Sequence, residues 1–476
     1  MFPGNCCDPS FRISLALTVK AADFGPKKIK EWYEEMSDMK NKFVATFRLI
    51  TGRNSKMSLL VCFLGLSLSA SAAQAKFITF DAPGAVYGTY VSSINDRGEA
   101  VGVYIDGNFV YHGFLRSPQG VITTFDAPNV STTGYGTFGN AINDEGVLVG
   151  DYTNSNFNYG GFIRTPDGKF VTYRAPKACT GGDPDGCEGT GFAAINALGV
   201  IAGGYVDSNF VQHSFLRTPA GTVITYDAPG AGKTPGNPAN ISPLGDYLYQ
   251  GTGLAGLSPG LNVWGAVTSG YLDENNVYHG YLRNPFGVLT DFDAPGAGKG
   301  SAQGTIPTSM NDLGVITGFY LDSKNVYHGF LGSPGHFIDL NAPGADTTDA
   351  FYGTQPASLN DLGAITGSYL DANGVWHGFL LSPNGTYTKF DAPGADMTAG
   401  DLNGTFPAQI NLLGVIAGTY IDANFVAHGF LLTPCSFGED CQNDEQASRE
   451  VPNLSHSSSG VLNPLDRRSS VRQSAK

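Results

Sequence analysis

This sequence is short of positive charge. Lys and Arg number 28 against 42 Asp and Glu, and between residues 76 and 434 the imbalance is 13 against 30, a formal charge of −17. A surface of that sign repels phosphate backbones and anionic headgroups, which argues against nucleic-acid and membrane-surface partners. Of those 30 acids 26 are Asp, mostly beside Gly, Asn or Pro, where a short carboxylate caps its own turn. Long apolar runs are also missing. The run from Met57 to Leu68 is too short to cross a bilayer comfortably, so no membrane span is expected in the mature chain. Lys40, Lys42, Arg48, Arg53 and Lys56 precede that run and Ala73-Gln74-Ala75 follows it, so residues 39–75 read as a cleavable secretory leader. Residues 1–38 fit no ordinary leader and are read as a doubtful extension.

Cysteine is sparse as well. Removing the leader takes away Cys6, Cys7 and Cys62 and leaves two close pairs, Cys179 with Cys187 and Cys435 with Cys441. An even count in an exported chain favours two local disulfides; the alternative is free thiols, or a zinc site if both loops converged. From Gln442 onward the chain is polar, Ser-rich and aperiodic, the composition of a disordered tail, so residues 435–476 read as a Cys pair followed by that tail.

What is plentiful is Gly (64), Pro (27) and aromatics (12%), as many short strands and tight turns require. Two phrases recur seven times each. D-x-N-x-x-x-H-G-F-L places His112, Gly160, His213, His279, His328, His377 and His428 at equivalent positions, and F-D-A-P-G-A is centred on Asp81, Asp126, Arg174, Asp227, Asp293, Asn341 and Asp391. The array opens with the second phrase and closes with the first. A linear stack has no reason to start at the end of a repeat, whereas a ring sealed by its own termini does. Within a repeat, I-N-D-x-G, D-x-N and a Pro-Gly turn separate four strands. The expected fold is therefore all-β, a seven-bladed β-propeller of four-stranded blades over residues 76–434, with the N-terminal strand completing the last blade.

Spacing separates scaffold from loops. Counted from Ile94, Ile142, Ile195, Ile241, Met310, Leu359 and Ile410, the D-x-N acid lies 12 residues on in six copies, while the stretch from the D-A-P aromatic to the next origin runs from 14 to 22. In the fourth copy Ile241 to Asp273 is 32, which reads as an insertion near Tyr247 to Ala266, extruded as a hairpin on the face opposite the variable loops. The variable loops and the D-x-N turns are expected to share a face, and the loops are the segments free to carry function.

Gly251-x-Gly253-x-x-Gly256 and Gly256-x-Ser258-x-Gly260 match dinucleotide and nucleophile-elbow strings, yet no helix plausibly follows either one. Repeated Asp and His six residues apart could offer Ca²⁺ ligands at the D-x-N turns, but residues repeated in six blades more readily build the blade. His112, His213, His279, His328, His377 and His428 are thus read as structural, no cofactor is required, and F-D-A-P-G-A is read as a strand end with an Asx turn. The departures at Arg174 and Asn341 are where chemistry particular to one repeat is expected.

The pattern I-N-x-x-G-x-x-x-G followed by H-G-F-L resembles the HAF-type repeats of bacterial extracellular proteins, with Gly113, Gly280, Gly329, Gly378 and Gly429 where that family usually has Ala. The resemblance implies export and a propeller-like β fold, and assigns no reaction or catalytic residue. The leading expectation is a monomeric binding module, secreted, cell-surface or periplasmic, that takes a glycan or protein at the central opening of the variable-loop face. Asp183, Asp185, Glu188, Asp346, Asp349, Asp396 and Asp401 are its candidate ligand residues. A carbohydrate-active hydrolase or lyase using those acids, and a surface-structural repeat, are the alternatives.

Overall fold

The computed structural model describes residues 75–133, 135–156, 158–179, 189–234, 249–253, 259–400 and 403–434. The described chain is all-β, with 29 strands and no helix among these residues. Gly88–Ile94, Ala100–Ile105, Tyr111–Arg116 and Ile122–Phe125 pair antiparallel in sequence order. The arrangement recurs at Thr137–Ile142, Leu148–Thr153, Tyr159–Arg164 and Phe170–Tyr173, and so on along the chain. Turns are set by Asn side chains: Asn95 Oδ1 accepts the N–H groups of Arg97 and Glu99, and Gly98 closes the turn at φ 81°. In the last group, Gly404–Ile410, Ile416–Ile421 and Ala427–Pro434, the strand beside Ala427–Pro434 is Ala75–Phe80. Phe77 lies opposite Leu432 and Phe80 opposite Gly429.

Successive groups join through a Gly-Thr pair that the sequence reading passed over. Gly304 forms a parallel bridge with Tyr278 of the preceding group, Gly353 with Tyr327, Gly404 with Trp376, and Gly88 with Ala427 of the last group. A Cβ at Gly304 would sit 2.0 Å from the Tyr278 carbonyl oxygen and one at Gly353 1.9 Å from that of Tyr327, so only glycine admits the approach. The Thr that follows is buried, and its Oγ1 accepts the N–H of the Ala in the preceding D-A-P. Ala82 to Thr89, Ala127 to Thr137, Ala175 to Thr190, Ala228 to Thr252, Ala294 to Thr305, Ala342 to Thr354 and Ala392 to Thr405 are all 2.7–2.9 Å. At the I-N-D-x-G end, Asn side chains reach the next turn: Asn95 to Asn143 O, Asn143 to Asn196 O, Asn196 to Asn262 O and Asn360 to Asn411 O. Asn411 Nδ2 in turn donates to Asn95 O at 3.0 Å, 316 positions away in sequence.

Two of these patterns correct the fourth copy. Its first strand begins at Gly251–Thr252 and resumes at Gly260–Leu261, and Asn262 makes the turn through Ala266 N. The origin is therefore Leu261, not Ile241, and Leu261 to Asp273 restores the 12-residue spacing. The extra length falls before the turn, in the variable connection and inside the first strand, and Trp264 is a turn residue, not part of an extruded hairpin. Ile241 and Gly245 lie outside the described residues.

Between groups the core is aromatic. The residue before D-A-P packs edge-on against the third-strand aromatic of the next group, as in Phe80 with Phe114 (centroids 6.0 Å), Phe125 with Phe162 (6.1 Å) and Phe390 with Phe430 (6.3 Å). Arg116 lies over the Phe80 ring at 4.9 Å. Phe80 belongs to the first strand yet is as deeply buried as Phe125 and Phe390. Phe80→Ala is expected to cost about 3–5 kcal/mol in urea denaturation, comparable with Phe125→Ala; a loss below about 1 kcal/mol would show that the first strand is dispensable.

Candidate functional site

The two repeated phrases turn out to be halves of one constellation. On the second strand Tyr104 faces His112 of the third strand, and the rings stack at 5.0 Å and 23°. His112 Nδ1 lies 2.8 Å from Asp126 Oδ1 of the D-A-P phrase, and Nε2 faces Asp106 of the D-x-N turn at 3.7 Å. The pairs His213 with Asp227, His279 with Asp293, His377 with Asp391 and His428 with Asp81 repeat the bond at 2.7–2.9 Å. The D-A-P carboxylate thus serves as an imidazole partner, not as the Asx-turn acceptor the sequence suggested. The signal was present in the sequence: each such Asp lies 14 residues after its His, except Asp81, which reaches His428 from the other end of the chain.

At His213, His279 and His428 the paired acids favour the protonated imidazole. Hydrogen bonding to Asp227 raises the pKa of His213 above the ordinary imidazole value, against partial burial, and Asp293 does the same for His279. At His428 burial works to lower the pKa, but bonds to Asp422 and Asp81 outweigh it and the value is raised to about 9. The partner Asp422 is pushed up by burial yet ends below the usual carboxylate range because His428, Val426 N and Asn424 bond to it.

Two copies depart from the rule. Where the histidine is Gly160, the acid is Arg174, so the imidazole and its carboxylate partner are lost together. A Cβ at Gly160 would lie 2.9 Å from the Tyr152 ring, which occupies the imidazole's space, and the Arg174 guanidinium turns to the Cys179 carbonyl. His328 keeps its tyrosine, stacked at 5.1 Å, and its turn acid Asp322 at 3.6 Å, but faces the neutral Asn341 position.

The loops after D-A-P lie on the D-x-N turns of the following group, through bridges Val130 to Asn154, Ala178 to Asp207 and Ala345 to Asp371. In those turns Asp106 Oδ1 accepts the N–H groups of Asn108 and Val110 at 2.8 and 2.9 Å, and Oδ2 accepts Asn108 Nδ2. The carboxylate is shared between its own turn and the neighbouring histidine, and among the described residues no cluster of three or more His, Cys, Asp or Glu is placed to hold a metal. Of the loop acids, Asp346 accepts from Thr348 N and Oγ1, which lowers its pKa, and Asp396 accepts from Thr398 and from Asn403 Nδ2. Asp346 and Asp396 therefore cap their loops, while Asp349 is exposed. Asp183, Asp185, Glu188 and Asp401 lie outside the described residues. Cys179 is disulfide-bonded; its expected partner Cys187, and Cys435 and Cys441, also lie outside them.

What the sequence reading missed on this face is an aromatic at the fourth turn position. Phe109, Phe210 and Phe425 stand there at φ 59–60°, a left-handed backbone, where the sibling turns use Asn276, Asn325 and Gly374. Holding an L-residue there costs roughly 1–2 kcal/mol. Phe109 is 57% exposed and Phe425 46% exposed, and Phe109 stacks at 4.0 Å on Tyr87.

No family model matches the chain, and no curated protein matches it. Among solved structures it is similar to puromycin hydrolase (14% identity, TM-score 0.42, covering 73% of this chain and 53% of that one). It is also similar to the six-bladed β-propeller lectin of Aleuria aurantia (10%, 0.34, 77% and 98%) and to the lectin BP39L of Burkholderia pseudomallei (8%, 0.42, 76% and 99%). The chain spans about half the length of puromycin hydrolase.

The histidine pKa values give stability a pH dependence. A pKa raised to about 9 at His428 contributes stability that is complete below the unfolded value near 6.5 and is lost as pH rises through 9. The lowered Asp422 contributes above the unfolded carboxylate range and is lost as the solution becomes strongly acidic. The melting temperature should therefore be highest at about pH 5–6 and fall toward pH 10, and His428→Gln should flatten the alkaline limb. An unchanged alkaline limb in that variant would refute the assignment.

Proposed function

We propose that the chain is an exported seven-bladed β-propeller of HAF-repeat type that binds an extracellular glycan on the face of the D-x-N turns. The seven equivalent Ala-to-Thr bonds, the Gly88–Ala427 bridge and the Asn411-to-Asn95 bond support a closed ring in which the first strand completes the last blade. Export through the leader, and pairing of Cys179 with Cys187 and Cys435 with Cys441, belong to the same reading.

The observation that carries the binding role is the pair of exposed aromatic turn tips, Phe109 and Phe425; Phe210 at the same position is partly buried and packs against Cys179, Val206 and Tyr249. Phe425, Phe109, Phe157 and Phe210 fall in four consecutive copies in ring order, and the other three copies carry Asn276, Asn325 and Gly374. Phe157 lies outside the described residues. Where the scaffold alone matters, Gly meets the positive φ without strain and Asn meets it more readily than Phe, so a strained exposed Phe points to a ligand. An aromatic face beside exposed Asn108 or Asn424 offers stacking for a sugar's C–H face and hydrogen bonding for its hydroxyls. The D-A-P loops overhang this surface and differ in length, which would set which glycan fits.

A glycan array probed with the wild-type chain and with Phe109→Asn/Phe425→Asn tests the reading. The double variant adopts the residue of its siblings, so it should melt at or above the wild-type temperature and bind at least about tenfold more weakly, a difference of about 1.4 kcal/mol. Unchanged binding in the variant, or no glycan retained by the wild type, would overturn it.

A further inference from the structure

The opposite face, that of the I-N-D-x-G turns, carries a second asymmetry. The residue at the third turn position is Arg97 or Glu145 in the first two groups, an ion pair at 3.8 Å, and apolar in the remaining five. Leu198 is 52% exposed, Leu313 76%, Leu362 65% and Leu413 68%, with Trp264 half-buried between the turns of Leu198 and Leu313 in chain order. Apolar residues at one position of five successive turns, four of them exposed leucines, form a patch that solvent alone does not favour.

Carboxylates stand in four of the seven turns, Asp312 and Asp361 within the leucine arc and Asp96 and Asp144 in the two charged turns beside it. Asp144 accepts Asp96 N, Asp361 accepts Asp312 N, Asp312 accepts Val263 N, and Asp96 accepts Leu412 N, each at 2.7–2.8 Å. Each of these bonds links neighbouring turns, which pairs Asp96 with Asp144 and Asp312 with Asp361. Partial burial raises the pKa of Asp96 and of Asp312, and the two also repel each other and Asp361. The face is thus apolar at its tips, negative within, and unfavourable to a second copy of the same negative surface.

The chain leaves the described residues on this side. Pro434 lies against Gly414 of the last I-N-D-x-G turn, as Pro118 lies against Gly98 and Pro383 against Gly363. Residues 435–459 hold five acids and one base, but Gly460 to Lys476 holds one acid, Asp466, against Arg467, Arg468, Arg472 and Lys476, interspersed with Val461, Leu462, Leu465 and Val471. This segment matches the face in both charge and apolar content. The intervening stretch can span up to about 90 Å, against a radius of gyration of about 21 Å for a domain of the length of the repeats.

We propose that the segment Gly460 to Lys476 docks on the I-N-D-x-G face of its own chain, its arginines over Asp96, Asp144, Asp312 and Asp361 and its apolar residues against the leucine tips. The glycan face is on the other side, so this docking is independent of ligand binding there.

Trypsin cleavage at Arg467 and Arg468 in the full chain measures the docking. In the wild type at low salt the sites should be cut at least about tenfold more slowly than in a synthetic peptide of residues 460–476. Leu313→Ser/Leu362→Ser, which alters only exposed side chains, and Asp96→Asn/Asp312→Asn, which keeps the hydrogen-bond acceptors, should each restore peptide-like cleavage, as should 0.5 M NaCl. Cleavage at the peptide rate in the wild type, or protection unchanged in both variants, would overturn the proposal. Protection that grows with protein concentration would also overturn it, by showing that the segment docks on a second copy.

Discussion

Everything in this architecture rests on the pairing of Ala75–Phe80 with Ala427–Pro434. Without it the last group would present an open strand edge, with unpaired backbone groups and an exposed Gly429–Leu432 row, a template for aggregation. The same strand also supplies Phe80 to the core of the first group and Asp81 to His428 of the last. One short segment therefore completes a sheet, an aromatic cluster and a charged hydrogen bond at once. Loss of any one would expose the others, which makes the junction of the array's first and last strands a cooperative unit.

The remaining joints use neutral chemistry. A glycine lets two backbones meet, a buried threonine caps the alanine N–H that the approach would otherwise orphan, and an asparagine ties adjacent turns. The His–Asp pairs add charge-assisted bonds on top of this frame. The copy with Gly160 and Arg174 lacks them yet keeps its strands in register, so they add stability without defining the fold. Residues that recur in every copy build the molecule, and the features particular to part of the array distinguish its two faces. Among the described residues phenylalanines stand at the turn positions 109, 210 and 425 on one face, and apolar residues at five turn positions on the other.

Much of this was legible in the sequence because period and phase are properties of spacing. The opening of the array at F-D-A-P foretold that the first strand pairs in the last group, and the constant 12-residue spacing marked which turns are scaffold. The fourth copy was misread because Ile241 and Gly245 imitate the origin phrase, whereas the Gly251-Thr252 that truly opens the strand is recognised by a contact, Ala228 N to Thr252 Oγ1, rather than by periodicity. The His–Asp link escaped because its two members sit in phrases read separately, and in the last copy 347 residues apart. The strained phenylalanines escaped because φ is not written in the sequence, although comparison with Asn276 and Asn325 at the same place would have marked them.

The central claim, that the two ends of the array are neighbours in one sheet, is tested most directly by a covalent link between them. Lys76 and Thr433 face each other across the first and last strands, so the double variant Lys76→Cys/Thr433→Cys should oxidise to a disulfide within one chain. Peptide mapping by mass spectrometry under non-reducing conditions should find the 76–433 linkage in monomeric protein, with a melting temperature above that of the reduced form. Recovery of only free thiols at these positions, or of the linkage only between chains, would contradict the account.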